Sequence, residues 1–119
     1  MEKEVSSFVT VLLHSGTVTH FQHWATDSFA EHMALGEYYE EIIELVDDYA
    51  EAYMGKYEQL KKFPQDFHVS DNPVEYLTTV KDFVEKSRQH LPDDTELMNI
   101  VDEIADLINS TLYKLRFLR

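Results

Sequence analysis

Leu97, Val101, Ile104, Ile108, Thr111, Leu115 and Leu118 follow one another at alternating steps of four and three. A half-buried strand repeats every second residue, so this spacing dictates a helix with one apolar seam. Such a seam is not stable alone in water and must close against other helices. The remaining sequence supplies three. Residues 3–24 carry Val5, Phe8, Val9, Leu12, Val18, Phe21 and Trp24 at mostly helical steps. Gly16 weakens that helix by roughly 1 kcal/mol relative to alanine but permits a close neighbour. Ala25 to Asp27 form the break. Ser28 and Glu31 then have the form of a capping box. The second helix is expected to run to about Met54, with Gly55 as its stop. Its apolar side is read as Phe29, Met33, Leu35, Tyr39, Ile42, Ile43, Val46, Tyr49, Ala50 and Tyr53.

Phe63-Pro64 and the Ser70 to Pro73 cluster mark residues 55–72 as loop. That length suits a crossover along a bundle rather than a hairpin. Asn72 caps the third helix and Pro73 takes its first position. Leu77, Val80, Phe83 and Val84 form its stripe, and it is expected to end near His90. Together these readings predict a single all-α domain over residues 1–119. It is a four-helix bundle with a long crossover between the second and third helices.

Composition narrows the function. Apolar residues make up 44% and the chain has only three Gly and three Pro, so a packed helical core is expected rather than an acidic disordered tail. The net charge of −13 repels phosphate backbones and disfavours direct nucleic-acid binding. Lys114, Arg116 and Arg119 are the nearest thing to a basic patch, and they read as complements to a helix C-terminus. No apolar run approaches the ~20 residues of a membrane span, and the start lacks the pattern of a secretory signal. The absence of cysteine excludes thiolate chemistry and fits a reducing compartment, so a cytoplasmic protein is expected.

The chemistry-bearing residues cluster around the first break. His20 and His23 are three apart, and His32 lies one turn into the second helix. Asp47 and Glu51 stack on one face of that helix at a spacing of four. Imidazole and carboxylate together are the donor set of iron and zinc sites. His32 and Asp47 are separated by about 22 Å along one helix, too far for one ion. The halves meet only if two copies of the second helix pair antiparallel about a two-fold axis near residue 40. Histidines of one chain then face acids of the other, twice over. His14, His68 and His90 read as ordinary surface or core histidines. Trp24 reads as a packing anchor, with redox buffering beside an iron centre as its functional alternative. Motifs of other chemistries are absent: no His-Glu-x-x-His, no phosphate-binding glycine loop and no nucleophile elbow.

His20-x-x-His23-Trp24, Ser28-Phe29, His32 and Val46-Asp47-x-x-Ala50-Glu51 resemble the pattern of the Dps-like mini-ferritins, a branch of the ferritin-like superfamily. Asp94-Thr95 and the run from Thr111 to Leu115 resemble the last helix of that family. The resemblance covers nearly the whole chain, with a shortened segment between His23 and His32 and no basic N-terminal tail. It implies a ferritin-like fold in which His23 and His32 of one subunit, with Asp47 and Glu51 of its two-fold mate, form a catalytic ferroxidase site. His20 is a further metal or orienting residue. The implied activity is oxidation of Fe(II) by peroxide or dioxygen, with iron storage or detoxification. One iron or a pair is implied, and Zn(II) is expected to substitute. The implied assembly is a homo-oligomer, a two-fold dimer at least and by extension a dodecameric shell. Two readings compete. One is a non-catalytic ferritin-like bundle acting as a structural or interaction module. The other is a hydrolase-like bundle with a three-histidine site using His20 and His23.

Overall fold

The structure is a computed structural model that describes residues 1–65 and 68–119. It holds four α-helices: α1 (Glu2–Ala25), α2 (Phe29–Lys56), α3 (Pro73–Ser87) and α4 (Thr95–Phe117). A short 3₁₀ turn, Arg88–His90, follows α3, so the third helix ends three residues earlier than its sequence suggests. Two starts follow the expected chemistry. Ser28 accepts the backbone N–H of Glu31 at 3.2 Å, and Asn72 accepts that of Glu75 at 3.1 Å, with Pro73 in the first turn. The capping box at Ser28 is only half made. The N–H of Ser28 goes to the Thr26 hydroxyl at 3.1 Å, which takes the role expected of Glu31. The expected stop at Gly55 is also absent. The backbone has no positive φ among the described residues, and α2 passes through Gly55 to Lys56. It ends at Tyr57, whose hydroxyl is drawn to Asp94 across the turn that opens α4.

Neighbouring helices run antiparallel. Phe8 meets Tyr49 and His23 meets His32, which fixes α1 against α2. Lys56 pairs with Asp94 and Lys114 with Glu37, which does the same for α2 and α4. Arg88 to Asp102 and Arg116 to Thr78 align α4 with α3. Phe83 stacks on Phe8, while Gln22 reaches the carbonyl of Ser70 just before α3. The helices therefore stand in the cyclic order α1, α2, α4, α3. Among the described residues no helix is long and apolar enough to cross a membrane. The carboxyl of Asp94 is held below the usual carboxylate range, first by its hydrogen bond from Lys56 and then by that from Tyr57.

The core runs along the bundle axis. Val5, Phe8 and Leu12 of α1 meet Leu35, Tyr38, Ile42 and Tyr49 of α2, with Leu77 and Val84 of α3 and the α4 seam. Gly16 lies against α2; a Cβ there would sit 3.4 Å from Ile42 Cγ2. The two most deeply placed phenols differ in their polar ends. Tyr38 donates to Ser15 Oγ at 2.8 Å, and Ser15 in turn donates to the Leu12 carbonyl at 2.6 Å. Burial raises the Tyr38 phenol far above its ordinary value, so it stays a neutral donor. The hydroxyl of Tyr49 is equally enclosed and has no partner among the described residues. A buried unpaired hydroxyl is a net cost, whereas a made bond contributes about 1 kcal/mol. Tyr38→Phe is therefore expected to lower stability by about 1 kcal/mol, and Tyr49→Phe to leave it unchanged or raise it by about 1 kcal/mol. Urea midpoints of the two variants check this; equal losses would contradict it.

Candidate functional site

Only Thr26, Asp27 and Ser28 separate α1 from α2, so the end of one helix lies beside the start of the other. His23 is in the last turn of α1, where backbone carbonyls lack helical partners. Its carbonyl is taken by His32 Nδ1 at 2.8 Å. The exchange is reciprocal: His23 Nδ1 lies 2.6 Å from the carbonyl of His32. A carbonyl only accepts, so both imidazoles must carry their proton on Nδ1. When neutral, both therefore keep a lone pair on Nε2, and neither Nε2 has a hydrogen-bond partner among the described residues. The rings stack with centroids 3.6 Å apart and planes tilted by 17°.

Gly36 makes this approach feasible. A Cβ at that position would lie 3.2 Å from His23 Cε1 and 3.3 Å from its Nδ1, so the imidazole would have to give by a few tenths of an ångström. His20 sits one turn back on α1. Its ring lies flat on Tyr39 at 4.0 Å, with Trp24 at 4.4 Å and His23 at 6.0 Å. It is thus next to the pair but engaged face-on with a phenol ring.

Asp47 and Glu51 are exposed on α2, toward its far end. At 1.5 Å per residue Asp47 stands about 22 Å from His32, so one chain does not join the two halves. Among the described residues no group of three or more His, Asp or Glu comes together in a way that could hold a metal ion.

Around the histidines the surface is apolar. Trp24 is 66% exposed and Phe29 76%, with Leu13, Phe21, Met33 and Ile43 also open to solvent. Sequence periodicity places most of these in the core, and Trp24 as a packing anchor; instead they stand open to solvent. The signal was present in adjacent apolar pairs. Tyr38 with Tyr39, and Ile42 with Ile43, point about 100° apart on a helix, so only one of each pair can face the bundle axis. Tyr38 and Ile42 do, and their neighbours turn outward.

A family model matches residues 23–115, which is most of the chain and begins on His23 itself. The chain belongs to DUF5856, a family of unknown function. No curated protein and no solved structure matches it. The DUF5856 match takes in α2, α3 and nearly all of α4, and with them His32, Asp47 and Glu51. It leaves out α1 up to Gln22, and so His20.

Proposed function

We propose that this DUF5856 protein is a ferritin-like, Dps-like helical bundle that binds iron and oxidises Fe(II) at a site shared across a two-fold dimer. The reciprocal His23–His32 arrangement carries the reading. Each backbone carbonyl fixes one ring nitrogen and leaves the other as a ligand, which is how outer contacts orient metal-binding histidines. An in-plane lone pair leaves each of two nearly parallel rings, so the two do not converge on one point within bonding distance. Each imidazole then serves its own ion, which suits a pair of irons side by side. Asp47 and Glu51 of the second chain supply carboxylates to these ions, and His20 orients the site from the next turn. Two Fe(II) ions give two electrons to one peroxide, which takes up two protons and leaves as two waters. Iron storage or detoxification follows from this chemistry.

Three further features support the ferritin-like part of the reading. All four neighbouring pairs are antiparallel. The connection from α2 to α3 starts beside Asp94 and ends beside Gln22, at opposite ends of a body 44 Å long, as a crossover does. The exposed apolar face of α1 and α2 flanks the histidines and supplies a surface for the second copy.

One observation favours a second reading. The two imidazole–carbonyl bonds also clasp the α1–α2 turn, so the pair would hold a non-catalytic interaction module together without any ion. Anaerobic titration with Fe(II), and with Zn(II) as its substitute, separates the two. The metal reading expects saturable binding that falls by at least tenfold in His32→Ala and is unchanged in His90→Ala. Undetectable binding by the parent chain would leave only the clasp.

A further inference from the structure

The α1 and α3 helices do not close fully on each other. A cavity of about 530 Å³ lies between them, within the size range of small-molecule sites. Its wall is apolar where Val11 of α1 and Val80 and Phe83 of α3 line it, and it carries one carboxylate, Glu75, about 12 Å along α3 from Phe83. His14 also lines it and donates from Nε2 to the carbonyl of His68 at 3.1 Å. Ser7 and Phe83 continue into a second hollow that includes Lys3, Lys86 and His90. Ser7 and Pro64 continue into a third with Lys3, Lys61 and Lys62. Four of the ten Lys and Arg residues therefore gather at one mouth.

That gathering is informative in a chain of net charge −13. Of the other six Lys and Arg residues, Lys56 is paired with Asp94, Arg88 with Asp102 and Lys114 with Glu37. Lys81, Arg116 and Arg119 stand singly along α3 and at the end of α4, with no ion pair among the described residues. None of the four mouth lysines has an ion pair among the described residues. Glu2 and Glu4 share the rim, and Glu4 is paired with the N-terminal ammonium at 2.9 Å. Repulsion from the distant acidic surface is screened beyond about 10 Å at 0.1 M salt, so the local lysines set the sign a ligand meets.

A pocket that is apolar within and cationic at its opening selects a molecule of the opposite build. We infer that the α1–α3 cavity binds a single-chain amphiphilic carboxylate, its alkyl tail against Val11, Val80 and Phe83 and its head among Lys3, Lys61, Lys62 and Lys86. Each buried methylene contributes about fourfold in affinity, which makes the tail the main source of binding. The lysines add selectivity for the anion. This site lies on the α3 side of α1 and is independent of the histidine pair between α1 and α2.

Calorimetric titration of the full chain with decanoate and with decanol tests the assignment. Saturable binding of decanoate is expected, about tenfold tighter than decanol at low salt, with the gap narrowing as salt is added. Lys3→Glu, Lys61→Glu and Lys62→Glu combined should remove the gap and leave decanol binding as it was. Thr79→Trp, built from the exposed rim into the cavity, should abolish both. If that variant fails to melt cooperatively, Ser7→Trp fills the cavity from the opposite wall. Equal affinity for the two ligands, decanoate binding that survives both kinds of variant, or no saturable binding would overturn the inference. So would loss of binding in a Phe29→Arg chain, which would place the probe on the α1–α2 face.

Discussion

A Phe8→Ala chain is expected to lose about 3–5 kcal/mol of unfolding free energy. Phe8 has no exposed surface and joins two interfaces at once. Its ring meets Tyr49 of α2 edge-on at 5.1 Å and stacks near Phe83 of α3 at 6.4 Å. Truncation leaves a cavity where α1, α2 and α3 meet, and the rigid helices limit collapse around it. A domain of this size has about 5–15 kcal/mol in total, so the variant sits close to its unfolding threshold. Urea denaturation monitored by helical circular dichroism reads the loss directly. A change below about 1 kcal/mol would mean that Phe83 or Tyr49 moves into the space and that this corner of the core is loosely packed.

Under the shared-site proposal, Phe29→Arg together with Ile43→Arg is expected to convert the proposed dimer into monomers without unfolding them. Phe29 is 76% exposed and Ile43 42%, so the bundle itself loses little from either change. In a two-fold dimer built on the α1–α2 face, the same positions are covered twice over. Each buried charge costs about 2 kcal/mol or more at a well-packed interface, and the two-fold axis buries four of them, so the double substitution raises the dissociation constant on the order of a millionfold. Native mass, with helical content as the control, is the measurement. Under the shared-site proposal Fe(II) binding falls in step with the mass, although neither residue is a ligand. A parent chain that already runs as a monomer, or a variant that stays dimeric, would move the interface elsewhere or remove it.

The helices were legible in the sequence because their signals are local. The seam from Leu97 to Leu115 is buried as its spacing requires, and Ser28 and Asn72 cap as their side chains dictate. What local pattern misled was orientation. On α1 and α2 apolar residues cover more than one face, and periodicity alone placed Phe21, Trp24, Phe29 and Met33 inward. Gly55 was a stop only in principle; nothing forces a positive φ there, and the Tyr57–Asp94 contact sets the end instead.

The candidate site was half legible. A three-residue break between two helices puts His23 and His32 at one end, and that much follows from spacing. Their exchange of hydrogen bonds with each other's carbonyl does not, because it depends on ring orientation and on the space Gly36 leaves. The cationic mouth was invisible for a different reason. The sequence drew attention to Lys114 and Arg116, which the fold engages with Glu37 and Thr78. Lys3, the adjacent pair Lys61 and Lys62, and Lys86 lie far apart along the chain and meet only once α1, α3 and their connection are assembled.

Mixing two inactive chains reaches the shared-site claim most directly. His32→Ala and Asp47→Ala proteins are each prepared, unfolded together and refolded, and Fe(II) oxidation is followed optically. In a hybrid dimer one site inherits both lesions and the other inherits neither. Random pairing then restores about a quarter of the parent rate, since half of the dimers are hybrids with one intact site of two. A mixture no more active than its two components measured apart would contradict a centre divided between chains.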